Sequence, residues 1–406
     1  MRTLFLMMLI VGSSSFAAES PQTVLGVILN KDRRHGLFEQ AKKSNIIAYR
    51  IDHNSTLAED HIANVRVWNG QSWNRIPKAP LPTVTYDYSF YKNHPKRKVA
   101  SKLISSLYSL NLPKINPVVV LHTLSDKKTF AEVMSASHLN HPETIEYSDE
   151  ALEDHFEKWD LIYLKPYNGN QSRGIIVIEK NDNGVLITFD GPDNSQDSSS
   201  ANSSSKDKKY SKLVSSHDFE DVLAEVNDAR AIMSTQKSRY LIQEGQKFFQ
   251  FNGERTNFRA TVQRGEDGML ECIALTVKIG GNVALGGFTA IPEPLLKRIS
   301  KVSQQTVATL TSRLKLVAVE TCLEMEKYHD IKIGELGIDL GMLPNGQVVV
   351  IEANTKPGYI YYRKDFYKLF SPFEQMVAEQ AEEVRDRALV AYAQYLSNKE
   401  SLPTSP

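Results

Sequence analysis

The chain has 406 residues, 41% hydrophobic and 24% charged, which suits a globular protein of two or three domains. Lys plus Arg and Asp plus Glu stand at 48 each, so the zero net charge gives no support to bulk binding of nucleic acid or of an anionic membrane. The two cysteines, Cys272 and Cys322, do not suggest a disulfide framework or a zinc site and read as buried thiols.

Residues 1–20 read as a signal peptide or an N-terminal extension. Met1-Arg2, an apolar run from Leu4 to Val11 and small residues up to Ala18 have the pattern of a secretory signal, too short to span a bilayer as a mature helix. A mis-chosen start codon and an N-terminal strand are the other readings of that run. Residues 21–120 read as a small α/β domain, with strands at 24–29, 84–86 and 118–121. Val99, Leu103, Leu107 and Leu110 recur at helical spacing and predict a helix over 98–110.

Residues 121–245 form a second region. There Ser216-His217-Asp218 caps a helix whose apolar face is Phe219, Val222, Leu223, Val226 and Ala229. The stretch 193–209, rich in Ser, Asn, Asp and Lys, cannot bury a core and reads as a disordered surface loop. A strand from Tyr240 runs through Gln243 and Glu244 into a hinge at Gly245. Residues 246–396 carry strands at 258–263 and 270–279, one helix over 294–328 and a last helix from near Phe373; 397–406 is a frayed tail.

Two stretches carry chemistry. Glu335-Leu336-Gly337-Ile338-Asp339-Leu340-Gly341 and Val348 to Asn354 read as adjacent strands around the turn Pro344-Asn345-Gly346. Glu352 and Asn354, two apart on a strand, share a face, and a hairpin partner can bring Asp339 beside them. Two carboxylates and an amide oxygen suit Mg²⁺, which takes a few carboxylates plus phosphate oxygens. The rival reading is a hairpin with acids on its solvent face. Upstream, a strand ends in Leu164-Lys165-Pro166, and the loop Asn168-Gly169-Asn170-Gln171-Ser172-Arg173-Gly174 leads into a second strand. Such a loop can turn several backbone N–H groups toward an anion, and the lysine adds charge for phosphates.

On these blocks the chain resembles the ATP-grasp superfamily, and more closely the YheC/YheD-like family of endospore-coat-associated ATP-grasp proteins. The resemblance runs from about Leu25 to about Leu396 and rests on Leu164-Lys165-Pro166, Arg173-Gly174-Ile175, Asn257-Phe258-Arg259, Gly286-Gly287, Glu335 to Asp339 and Glu352 to Gly358. It implies an α/β (α+β) fold with a two-lobed core: 21–120 as the preceding domain, 121–245 as the first lobe and 246–396 as the second. Three departures stand out: Ser172 replaces a glycine, Asn257 replaces an aspartate and Lys278 an arginine. Lysine keeps the charge but loses the bidentate fork.

The resemblance implies ATP and Mg²⁺, with Mn²⁺ as a substitute ion. Cofactor contacts would come from Lys127, Lys165, Gly169, Ser172, Arg173, Gly174, Gln243 and Glu244. The metal would be held by Asp339, Glu352 and Asn354, and Arg259 and Lys278 would face the transferring phosphoryl group. It further implies an ATP-dependent ligase joining a carboxylate to an amine through an acyl phosphate, with no nucleic-acid partner and no membrane span in the mature chain. A non-catalytic nucleotide-binding or spore-coat structural protein and a phosphotransferase on the same fold are the alternatives. The resemblance implies a cytoplasmic or spore-associated setting, and use of ATP argues against the export suggested by the N-terminus.

Overall fold

A computed structural model describes residues 22–30, 34–89, 96–124, 126–167, 174–191, 208–233, 238–279, 288–290, 292–358 and 372–401. The N-terminal segment 1–20, most of the serine-rich stretch 193–209 and Gly286-Gly287 lie outside the described residues. Three six-stranded sheets organise the rest.

The first sheet uses β1 (Val24–Ile28), β2 (Ile47–Ile51), β3 (Thr56–Leu57), β4 (His61–Trp68), β5 (Trp73–Pro80) and β6 (Val84–Asp87), with α1 (His35–Lys43) between β1 and β2. Its order is β3-β4-β2-β1-β6, with β5 on β4, and β1 runs parallel to β2 and β6. All of β1 is buried, as expected for a parallel strand covered on both faces. α2 (Arg97–Ser109) buries Leu103 and Leu107 and leaves Val99 and Leu110 exposed.

The strand expected at 118–121 is instead a helix, α3 (Val118–Thr123). Pro117 occupies its N-cap position, and Val120 packs into the core of the third sheet. Packing outweighs the strand preference of three consecutive valines. α4 (Lys127–Ser135) begins behind Asp126, whose carboxylate accepts the Lys128 N–H.

The second sheet contains β7 (Thr144–Glu146), β8 (Leu161–Pro166), β9 (Ile176–Asn181), β10 (Gly184–Gly191), β11 (Lys208–Val214) and β12 (Tyr240–Glu244). It is antiparallel, in the order β11-β10-β9-β8-β12-β7. α5 (Asp149–Phe156) and α6 (Phe219–Ile232) supply Leu152, Phe156, Val222 and Val226 to its core. Asp218 caps α6 by accepting the Glu220 N–H. β11 takes in Lys208 and Lys209, the end of the serine-rich stretch.

The third sheet contains β13 (Gln250–Phe251), β14 (Glu254–Arg264), β15 (Leu270–Ile279), β16 (Phe288–Ala290), β17 (Glu335–Met342) and β18 (Val348–Asn354). Its order is β16-β15-β14-β17-β18, with β13 on β14. The single helix expected over 294–328 is two helices, α7 (Glu293–Ser303) and α8 (Val307–His329). Gln304 turns left-handed at φ 57°, and Thr306 restarts the helix by accepting the Thr309 N–H at 3.1 Å. Both helices pack on the face carrying Phe258, Ala260, Leu336, Ile338 and Leu340. α9 (Pro372–Ser401) returns to the first sheet, where Leu389 and Tyr392 join Leu25 and Leu37. Among the described residues no helix is long and apolar enough to cross a membrane.

A buried ionic junction fastens α9 to the first and third sheets. Glu335 of β17 accepts from Arg385 Nε at 2.6 Å, from Gln263 Nε2 at 2.7 Å and from the Tyr86 hydroxyl. Arg34, just before α1, pairs with Asp386 at 2.9 Å. Burial pushes the Asp386 carboxyl up to about 6, against the pull of Arg34 and Arg385. Its folded value lies above the unfolded one, so this contribution to stability is complete below the unfolded pKa, about pH 4, and is lost as pH rises through about 6. Asp386→Asn abolishes that titration. Whatever its constant offset, the stability of the variant relative to the parent is expected to improve by roughly 2–3 kcal/mol between about pH 4 and pH 7 in urea unfolding. A pH-independent difference would show a carboxylate ionised throughout.

Candidate functional site

The third sheet has one apolar and one polar face. Along β14, Phe258, Ala260 and Val262 enter the core. Asn257, Arg259, Thr261 and Gln263 alternate onto the other face. Along β17 the alternation is equally clean: Leu336, Ile338 and Leu340 point inward, while Glu335, Gly337, Asp339 and Gly341 line the polar face.

β18 reaches the same result by a bulge. Asp339 is paired with Glu352, but Leu340 is paired with Val350, so Ile351 is an extra residue. Val348 and Val350 lie in the core, and after Ile351 the inward position passes to Ala353. The bulge thereby turns Glu352 and Asn354 onto the polar face beside Asp339. Without it, strict alternation would put both on the core side with Val350.

Asp339 is buried and held by cations. Arg259, its partner in register on β14, grips it with two parallel bonds, Nη2 to Oδ2 at 2.6 Å and Nε to Oδ1. Lys278 Nζ stands 3.4 and 3.5 Å from its two oxygens. Burial alone would raise the Asp339 carboxyl, but Arg259 and Lys278 outweigh it and hold the group well below the usual carboxylate range. Gly337 makes room for this pair: a Cβ there would meet Pro357 Cβ at 2.7 Å and Arg259 Cδ at 3.2 Å. Glu352 lies within hydrogen-bonding reach of Asp339 and accepts from Asn354 Nδ2 at 3.2 Å.

Two lysines stand near this acidic group, one on the second sheet and one on α4. Lys165, at the end of β8, donates to Gln243 Oε1 on the neighbouring β12. Burial lowers its ammonium to about 8; Lys127 pushes the same way, while Glu352 and Asp339 pull it back up. Lys127 opens α4, and its backbone N–H donates to Tyr167 O at 3.3 Å. Two lysines, of which Lys127 disfavours the Lys165 charge, beside two adjacent carboxylates make a place for a polyanion with a cation. Mg²⁺ fits the donor set as an ion arriving with phosphate oxygens, since two carboxylates and an amide are too few to satisfy it alone. Among the described residues no cluster of three or more His, Cys, Asp or Glu side chains forms a metal cage.

The remaining sequence candidates fall as follows. Gly169, Ser172 and Arg173 lie outside the described residues. Gly174 sits before β9 at φ 79°, and its carbonyl accepts the Tyr240 hydroxyl at 2.8 Å. Gln243, expected to contact the cofactor, accepts from Lys165 and donates to Thr144 Oγ1 at 2.9 Å. Glu244 follows, half-buried, with its N–H donating to Glu143 O at 2.9 Å.

Two neighbours of the site were not legible in the sequence. His141 is held neutral by burial, at about 4, with Nδ1 on Val350 O at 2.9 Å beside the bulge. Lys356 donates to Asp87 at 3.0 Å and to Ser89 O at 2.8 Å, tying the chain after β18 to the end of β6. The nearest local signal is the run His141-Pro142-Glu143-Thr144, which points to this segment without naming its partner.

Residues 118–396 match the family model described as YheC/D like ATP-grasp. Endospore coat-associated protein YheD from Bacillus subtilis (strain 168) is 24% identical over 340 residues, covering 79% of this chain. The match spans 64% of that relative's length. Among solved structures, N5-carboxyaminoimidazole ribonucleotide synthetase from Thermotoga maritima aligns at TM-score 0.49 and 14% identity over 91% of this chain and 76% of that one. ATP-grasp ligase PsnB complexed with minimal precursor aligns at TM-score 0.48 and 11% identity over 90% and 99%.

The two cations on Asp339 differ in how deeply they are committed. Asp339→Asn leaves the Arg259 guanidinium without its anion and is expected to cost about 3–5 kcal/mol in urea unfolding. Lys278→Met removes a partly exposed ammonium at long range and is expected to cost less than about 1 kcal/mol. Equal costs would contradict the asymmetry of the two contacts.

Proposed function

The chain belongs to the YheC/D-like ATP-grasp family, and from that premise we propose that it binds Mg²⁺·ATP between the second and third sheets and joins a carboxylate to an amine. The observation that carries this reading is the opposition of Lys127 and Lys165 on one side to Asp339 and Glu352 on the other. Lys127 and Lys165 would neutralise the inner phosphates, with Gln243 holding Lys165 in place. Gly169, Ser172, Arg173 and Gly174 would cover the phosphates, and Glu244 would meet the ribose or adenine edge. Asp339, Glu352 and Asn354 would hold the Mg²⁺, which when bound supplies positive charge to the phosphates.

Arg259 and Lys278 would then face the transferring group, each such donor contributing about 3 kcal/mol to the transition state. A substrate carboxylate oxygen attacks the γ-phosphorus, ADP departs and an acyl phosphate forms. An amine nitrogen then attacks the acyl carbon, inorganic phosphate leaves with the bonding pair, and the nitrogen sheds a proton to give an amide. Positioning accounts for much of the rate in this scheme. The second reading is a nucleotide-binding protein without turnover; it is favoured by the bidentate Arg259 grip on Asp339, which occupies both groups. The likeness to an endospore coat-associated protein supports a spore-associated setting.

Thermal unfolding with and without Mg²⁺·ATP tests nucleotide binding. At a hundred times the dissociation constant the ligand adds about 2.7 kcal/mol of stability. Lys165→Ala is expected to lose that gain, and release of inorganic phosphate in an acceptor screen then separates turnover from binding. No shift in the parent at millimolar ATP would end the ligase reading.

Phosphates should also restore the Lys165 charge. Near pH 8, where the free ammonium is half-titrated, binding is expected to take up a proton, and affinity should fall as pH rises further. Calorimetry in buffers of different ionisation enthalpy measures this uptake. It should vanish in Lys165→Met, and an unchanged uptake would assign the proton elsewhere.

A further inference from the structure

Asn257 holds a buried side-chain oxygen, Oδ1, with no hydrogen-bond partner among the described residues. A buried acceptor left without a donor is costly, and native structures rarely keep one without use. Asn257 sits on the polar face of β14, two residues before Arg259 and directly across from Lys278 in register. Neighbouring strands lie about 4.8 Å apart, so to reach Asp339 on β17 the Lys278 side chain must cross β14 beside Asn257. It ends 3.4 and 3.5 Å from the Asp339 oxygens, well outside the usual 2.7–2.9 Å of a charge-assisted bond. Its side chain is 38% exposed, against 19% for Arg259, and so has room to move.

We infer that Asn257 is a positioning residue that supplies the second seat of Lys278. In the free protein the ammonium leans on Asp339 and helps neutralise it. When a metal ion takes Asp339, the displaced ammonium docks on Asn257 Oδ1, which fixes it at the face where the transferring phosphoryl group lies. The orphaned oxygen and the long ion pair are then two halves of one arrangement. This inference rests on the nucleotide-binding reading above.

The test is a double-mutant cycle on Asn257→Leu and Lys278→Met, measured in two ways. In urea unfolding of the free protein, Asn257→Leu is expected to be neutral or stabilising, because no bond is lost, and the two substitutions should add. In calorimetric affinity for Mg²⁺ with the β,γ-imido analogue of ATP, each single change is expected to weaken binding about tenfold, with the double variant no worse than the weaker single one. Asn257→Asp, which keeps an oxygen at this seat, should restore the affinity that Asn257→Leu loses. Additive losses in affinity, a destabilised free Asn257→Leu protein or failure of the aspartate to rescue would each overturn the inference while leaving nucleotide binding intact. If the parent does not bind the analogue at all, the nucleotide reading falls and this inference falls with it.

Discussion

The structure depends on how β17 carries two carboxylates in a strand that is buried along its whole length. Burying an unpaired carboxylate is prohibitive, so each must be met by cations and donors. Glu335 and Asp339 lie four residues apart on the same face, and they are met in different ways. Glu335 is saturated by Arg385, Gln263 and Tyr86, all drawn from rigid elements. Asp339 is met by Arg259 and by a partly exposed lysine at longer range. The first carboxylate is therefore structural, and the second keeps one partner, Lys278, that is partly exposed and at longer range.

That division organises the surrounding fold. The Glu335 junction brings α9 against the first and third sheets, and Arg385 also donates to Pro357 O at 2.9 Å. Lys356, one residue earlier, is anchored on Asp87 at the end of β6. The chain leaving the acidic hairpin is thus pinned from both sides, which gives Glu352 and Asn354 a fixed base. On the opposite side, the Asn140 and His141 carbonyl and ring bonds cover the outer edge of β18 at Val350. An edge strand carrying two site residues is thereby paired along the part that bulges.

The electrostatic arrangement is balanced without a ligand. Arg259 compensates Asp339, while Gln243 steadies Lys165. A nucleotide with its metal would supply the anion wanted by the lysines and the cation wanted by the carboxylates together. On the proposed reading, a set of only two carboxylates and an amide would suffice for the metal because the phosphates would complete it.

The sequence by itself singled out the candidate site residues. Lys165 at a strand end and Asp339, Glu352 and Asn354 in apolar runs stand out because local strand patterning makes charged exceptions visible. Helical spacing likewise marks α2 and α6, and alternation marks the third-sheet strands. Patterning failed at α3, where Val120 packs into the distant core of the third sheet, and at Gln304, where a cap formed locally by Thr306 interrupts the apolar spacing. Tertiary structure alone decided the face of Glu352, because only pairing with β17 inserts the bulge at Ile351. It alone decided the partner of Gln243 and the link from Lys356 to Asp87, since hydrogen bonds between side chains far apart in sequence leave no periodic trace in the chain.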